Sequence, residues 1–145
     1  MPVHFSDREM KNAWKHNFEA YKKLQPSFTN AHRLLLFYSI ECGLKATLMK
    51  RGSAKSTDAC SGLIEAGHNI NKLLDALSAG HNLKLPSEVN MNRNRKLGAG
   101  EINQMWRYGG KVANIKNQNG GLFDSTDEDL EKCLLKISEW IKQEL

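Results

Sequence analysis

The stretch AHRLLLFYSIECGLKATLMKR, residues 31–51, decides the fold. Leu34, Phe37, Tyr38, Leu44 and Leu48 recur at helical spacing, which lines them along one face of a helix. Glu41 falls inside that stripe, one turn after Phe37 and one turn before Lys45. A carboxylate withdrawn from water is costly unless it is paired or hydrogen-bonded. Glu41 is therefore expected either to accept a bond from a neighbouring element, with Arg107 one possible donor, or to belong to a site. Lys45, four residues on, is well placed to pair with it. Gly43 weakens the helix by about 1 kcal/mol relative to alanine, which close approach of another helix would offset. The helix is expected to start near Ser27 or Thr29 and to stop at Gly52, a residue that adopts left-handed dihedrals without a Cβ penalty. Lys50 and Arg51 precede that stop, where the helix dipole favours cations.

Helices are expected on both sides of this stretch. Ser6-Asp7-Arg8-Glu9 is a capping box, and Met10, Trp14, Phe18 and Tyr21 follow it as an apolar stripe. Gln25-Pro26-Ser27 ends that helix, because proline lacks the N–H and disfavours helix in the residue before it. Thr57 to Ala66 reads as a short helix with Leu63 and Ile64 inward. Ile70, Leu73, Leu74 and Leu77 mark a third amphipathic helix, capped by Asn69 or His68 and ended by Gly80. Ser125-Thr126-Asp127-Glu128 is a second capping box, before the stripe Leu130, Cys133, Leu134, Ile137, Trp140 and Ile141. Between these lie polar segments. Residues 81–100 read as loop, with Pro86-Ser87-Glu88 able to start a short helix. Ile102, Met105 and Trp106 mark a turn or two of helix, and residues 112–121 read as loop. No strand-period segment stands out. The expectation is an all-α fold, a bundle of four to five helices forming a single domain over residues 1–145. Trp14, Trp106 and Trp140 are expected in its core.

Composition narrows the function classes. The chain has 145 residues, a formal net charge of +5 and a pI near 9.2. The charge is uneven. Residues 82–117 carry seven basic side chains against Glu88 and Glu101, and residues 124–145 carry seven acids against three lysines. A basic middle is either a nucleic-acid surface or a solvated polar face. Arg93, Arg95, Lys96, Arg107 and Lys111 are the candidate nucleic-acid contacts. Cys42, Cys60 and Cys133 are odd in number and widely spaced, as free thiols in a reducing compartment would be. No CxxC or HxxxH spacing supports a metal site. The first residues lack a signal-peptide core, and no apolar run reaches the ~18–20 residues of a membrane span. A cytoplasmic location away from membranes, with no cofactor, is the expectation.

Three polar features recur near the expected core: Glu41 with Lys45, Gly67-His68-Asn69, and Arg107-Tyr108. They lie in Tyr38-Ser39-Ile40-Glu41-Cys42-Gly43-Leu44-Lys45-Ala46-Thr47-Leu48, in Gly67-His68-Asn69-Ile70-Asn71-Lys72-Leu73-Leu74 and in Trp106-Arg107-Tyr108-Gly109. In this order the three segments resemble the HEPN family of small helical-bundle domains. The resemblance implies a bundle, frequent dimerisation, and roles in RNA cleavage, toxin–antitoxin pairs and antiviral defence. Many members cleave RNA with an arginine followed four to six positions later by a histidine. Such a pair sets a proton donor or acceptor beside a cation that stabilises the phosphorane. None of the five histidines here has that spacing from an arginine.

The expected function is accordingly a non-catalytic HEPN-like binding or assembly module. It would act as a homodimer or in a hetero-complex with a partner protein, contacting RNA, a nucleotide or that protein. One alternative is a metal-independent endoribonuclease using Arg107 with His68 or Tyr108. Another is a basic nucleic-acid-binding protein. For His68 the competing reading is a helix-start residue bonded to the backbone or to Glu41.

Overall fold

A computed structural model describes residues 4–23, 29–60, 63–91, 95–108, 110–116, 122–124 and 127–145. Its principal helices are α1 (Asp7–Lys22), α2 (Asn30–Arg51), α4 (Ile70–Ala76) and α6 (Asp127–Glu144). Two shorter ones are α3 (Leu63–Ala66) and α5 (Ile102–Arg107). The helical bundle expected from the sequence is present, and α2 is its axis. Helices α1, α4, α5 and α6 all pack against α2. That arrangement widens the apolar stripe. Leu36, Phe37, Ile40, Leu44 and Met49 are fully buried, whereas Leu34, Tyr38 and Leu48 are half-buried. A helix enclosed on several sides has no single wet face, so a one-stripe reading understates its burial.

The local signals act as the side-chain chemistry dictates. Ser6 accepts from the Glu9 N–H, and Glu9 accepts from the Ser6 N–H, closing the first capping box. Thr29 is the N-cap of α2; Gly52 is its C-cap but sits at φ −88°, and the left-handed residue that follows the helix is Ser53 at φ 52°. Asn69 caps α4 by accepting from the Lys72 N–H at 3.2 Å. Helix α4 ends at Ala76 with Leu77 as its cap, short of Gly80, because Ser78 takes up the left-handed conformation with φ 52°. Residues Thr57–Ala59 form a single 3-10 turn separate from α3. The break at Gln25-Pro26-Ser27, the second capping box at Ser125 and Thr126, and the inward side chain of Ile64 lie outside the described residues.

One part of the polar middle is ordered differently from the loop expectation. Strands β1 (Glu88–Met91), β2 (Arg95–Gly98), β3 (Val112–Lys116) and β4 (Leu122–Asp124) form an antiparallel sheet in the order β2-β1-β3-β4. Residue 88 thus opens a strand rather than a helix. Burial alternates along β1, with Val89 and Met91 inward and Glu88 and Asn90 half-buried. Helix α5 spans the crossover from β2 to β3 and packs on α2, fastening the sheet to the bundle. Asp127, at the start of α6, accepts from Trp106 Nε1 at 3.0 Å and from the Val112 N–H at 3.3 Å. The Asn30 amide donates to the Gly110 carbonyl at 3.0 Å, tying the start of α2 to the same corner.

Candidate functional site

Two regions hold the residues that the sequence singles out. The first is built on α2. Glu41 is 7% exposed, so its carboxylate is withdrawn from water. Lys45 Nζ donates to Glu41 Oε2 at 3.3 Å, the i, i+4 pair expected from the spacing. The other oxygen, Oε1, lies 2.7 Å from His68 Nδ1. A carboxylate oxygen accepts, so Nδ1 carries the hydrogen in this bond. His68 reaches Glu41 because Gly67 ends α3 at φ 53°, a left-handed conformation that turns the chain back towards α2. The imidazole also stands 6.2 Å from the Tyr38 ring, centroid to centroid. Glu41, Lys45 and His68 therefore meet, linking α2 to the α3–α4 turn.

The second region is the open end of the sheet. Arg107, the last residue of α5, and Tyr108 after it are both exposed. The Arg107 guanidinium lies 5.6 Å from the centre of the Tyr108 ring, a cation–π contact. Tyr108 is 75% exposed, and with Phe5 it makes up the exposed large apolar side chains among the described residues. Strand register brings other bases near. Met91 of β1 pairs with Arg95 on one side and with Val112 on the other. With neighbouring strands about 4.8 Å apart, Arg95 and Val112 stand about 10 Å apart across β1. Lys111 directly precedes Val112. Gly110 packs so tightly here that a Cβ on it would come within 2.9 Å of Met105 Cγ. The segment carrying Arg107, Tyr108 and Lys111 is thereby held at the end of β1. Lys96 neighbours Arg95 on edge strand β2 and pairs with Glu88 at 3.8 Å. Arg95, Lys96 and Lys111 are exposed, and Arg93 lies outside the described residues.

The two regions do not merge. Among the described residues no hydrogen bond, ion pair or ring contact joins His68 to Arg107 or Tyr108. Nor does Arg107 pair with Glu41; the bonds of that carboxylate come from α2 itself and from His68. Among the described residues no group of three or more His, Cys, Asp or Glu side chains is placed to hold a metal ion. No described helix is long and apolar enough to cross a membrane.

A third polar cluster has no counterpart in the sequence reading. Glu131 of α6, 6% exposed, accepts from Arg33 Nε at 2.9 Å and from the Tyr21 hydroxyl. Burial, then the Glu131 hydrogen bond, pushes the Tyr21 hydroxyl well above the ordinary tyrosine range. Three helices, α1, α2 and α6, meet at these side chains. The signal for Glu131 was its position directly after Leu130, where the apolar face of α6 begins. Comparison of the chain with protein-family models, with curated proteins and with solved structures finds no match.

Proposed function

We propose that this chain is a non-catalytic RNA-binding module on a HEPN-like bundle, with the open end of its sheet as the RNA surface. The observation that carries the reading is Tyr108, an exposed aromatic ring in cation–π contact with the exposed Arg107 guanidinium, three residues before exposed Lys111 at the start of β3. Bases stack on such rings whatever their identity, while arginine and lysine meet the phosphates. The absence of an arginine–histidine pair at the family spacing supports binding without cleavage. So does the engagement of His68 with Glu41. By the same resemblance the module works in a defence or toxin–antitoxin type assembly, as a homodimer or beside a partner protein.

The test is fluorescence anisotropy with a labelled single-stranded RNA of mixed sequence across 50–200 mM salt, with the RNA examined on a gel afterwards. Log affinity is expected to fall with log salt at a slope of about −2, corresponding to about three phosphate contacts on a single strand. Replacing both Arg107 and Lys111 by alanine should flatten that slope, and the RNA should stay intact. A salt-independent affinity, or no binding, ends the reading. Cleavage lost on Arg107→Ala would make the protein a ribonuclease instead.

A further inference from the structure

One carboxylate oxygen closes the loop that carries Tyr108. Asp127 Oδ1, in the first turn of α6, accepts from Trp106 Nε1 at 3.0 Å and from the Val112 N–H at 3.3 Å. Trp106 and Val112 flank the loop, so a single acceptor spans its mouth as a clasp. Trp106 is 2% exposed and anchors one end in the core. Further bonds hold the backbone between. The Tyr108 N–H donates to the Gln104 carbonyl at 3.1 Å, and the Gly110 N–H donates to the Met105 carbonyl at 2.7 Å. Asn30 Nδ2 donates to the Gly110 carbonyl at 3.0 Å. These bonds run inward to α2, α5 and α6 and leave the side chains of Arg107, Tyr108 and Lys111 exposed.

The helix dipole accounts for an acid in the first turn of α6, where Glu128 and Asp129 also stand. It does not account for donors from opposite ends of one loop meeting on one oxygen. Nor does charge, because a carboxylate beside a phosphate-binding surface repels its ligand. What the clasp supplies is order. An aromatic ring on an unrestrained loop loses conformational freedom when a base stacks on it, and a ring already held in place loses less. Phosphate contacts depend less on pose, since charges on long side chains act at a distance. The geometry points to Asp127 as a positioning residue that holds Tyr108 ready for a base, and so sets a preference for single-stranded over duplex RNA. This inference rests on the RNA reading of the sheet end.

The test compares the full chain with its Asp127→Ala and Asp127→Asn variants, their folding checked by circular dichroism. Both variants remove the charge, and only asparagine keeps an acceptor oxygen. Hydrogen exchange reads the clasp without RNA. The Trp106 indole N–H and the Val112 N–H should exchange about tenfold faster or more in Asp127→Ala and at nearly the native rate in Asp127→Asn. The amide of Leu134, buried on α6, should be unchanged in both. Anisotropy reads the consequence. The native chain should bind a single-stranded RNA about tenfold more tightly than a duplex of equal length. Asp127→Ala should lower that ratio to about threefold or less with the salt slope retained, and Asp127→Asn should restore it. Any gain from removing the charge is common to both RNAs and cancels in the ratio. In a Tyr108→Ala background, Asp127→Ala should lower the ratio no further, because the two residues act as one unit. Asn30→Ala removes the bond to the Gly110 carbonyl; it should lower the ratio in the same way, and it decides if Asp127→Ala does not fold. With RNA binding intact, the inference alone is overturned by native exchange or a native ratio in folded Asp127→Ala, by an equal loss in Asp127→Asn, or by an added loss in the Tyr108→Ala background. A native chain that binds no RNA ends the RNA reading, and this inference with it.

Discussion

At Glu41, the carboxylate, the ammonium and the imidazole differ in what each loses if a partner is removed. The side chains of Glu41, Lys45 and His68 are 9%, 17% and 56% exposed. Glu41→Ala leaves the Lys45 ammonium largely out of water without its counter-charge, and should destabilise the fold by about 2–4 kcal/mol. His68→Ala removes a mostly solvated ring and should cost less than about 1 kcal/mol. Urea midpoints at constant m-value check the order; equal losses would mean that Lys45 finds another acceptor. Cys42, next in sequence, makes a second prediction. Burial, reinforced by the Glu41 charge and opposed by Lys45, pushes its thiol up to about 11. An unfolded thiol ionises near ~8.5, so between that value and about 11 the native state holds a proton that the unfolded chain has lost. Its contribution to stability is complete below the unfolded value and declines as pH rises through the window. Cys42→Ala should show a shallower loss of urea midpoint between pH 8.5 and 10.5 than the native chain. Glu41 was legible in the sequence because a charge interrupts an apolar stripe. Glu131 was not, because it follows three acids in the first turn of α6, where the dipole already accounts for acids.

Among the elements, α2 owes its central position to Gly43. A Cβ there would meet Trp14 Cδ1 of α1 at 2.8 Å and Ile141 Cδ1 of α6 at 2.9 Å. The expected close approach of a helix is thus an approach of two, on either side of the glycine. Ile141 can shift the end of its side chain, but the Trp14 ring is broad and buried. Gly43→Ala gains about 1 kcal/mol of helix propensity and is expected to lose more than that to overpacking, for a net destabilisation of about 1–2 kcal/mol. Adding Ile141→Val should recover part of the loss, and thermal denaturation of the two variants measures it. A Gly43→Ala chain more stable than the native one would show that α1 and α6 stand farther off. The helices were legible because caps and long stripes act locally. The sheet was not. EVNM and RKLG are four residues each and offer at most two apolar positions to a period of two. Their strands form because Val89 and Met91 dock on the core beside Ile102, Met105 and Trp106, a tertiary gain that no short window of sequence displays. The basic residues were therefore visible as a run but not as a surface, since register, not spacing, sets Arg95 across β1 from Val112.

Over the whole molecule the charge is divided between elements that do different work. The acids of α6 are spent partly inside, where Glu131 holds Arg33 and Tyr21 and Asp127 holds Trp106, and partly at the surface, where Glu144 pairs with Arg51 at 3.4 Å. At the sheet end Arg95, Lys96, Arg107 and Lys111 are exposed, and Glu88 lies beside Lys96 at 3.8 Å. The aromatic ring at that end distinguishes what kind of polyanion fits. A duplex offers phosphates but keeps its bases stacked on one another, so it can use Arg95, Lys96, Arg107 and Lys111 but not the face of Tyr108. A single strand can use both, and base–aromatic stacking is worth about 1–3 kcal/mol. The native chain should therefore bind single-stranded RNA about tenfold more tightly than a duplex of equal length at the same salt. Tyr108→Ala should weaken the single strand to near the duplex value while leaving duplex binding and the salt slope unchanged, and Tyr108→Trp should restore the preference. Anisotropy titrations of both RNAs against the three proteins measure this. If Tyr108→Ala weakens both RNAs alike, the ring supports the arginine rather than the bases, and the surface reads phosphate alone.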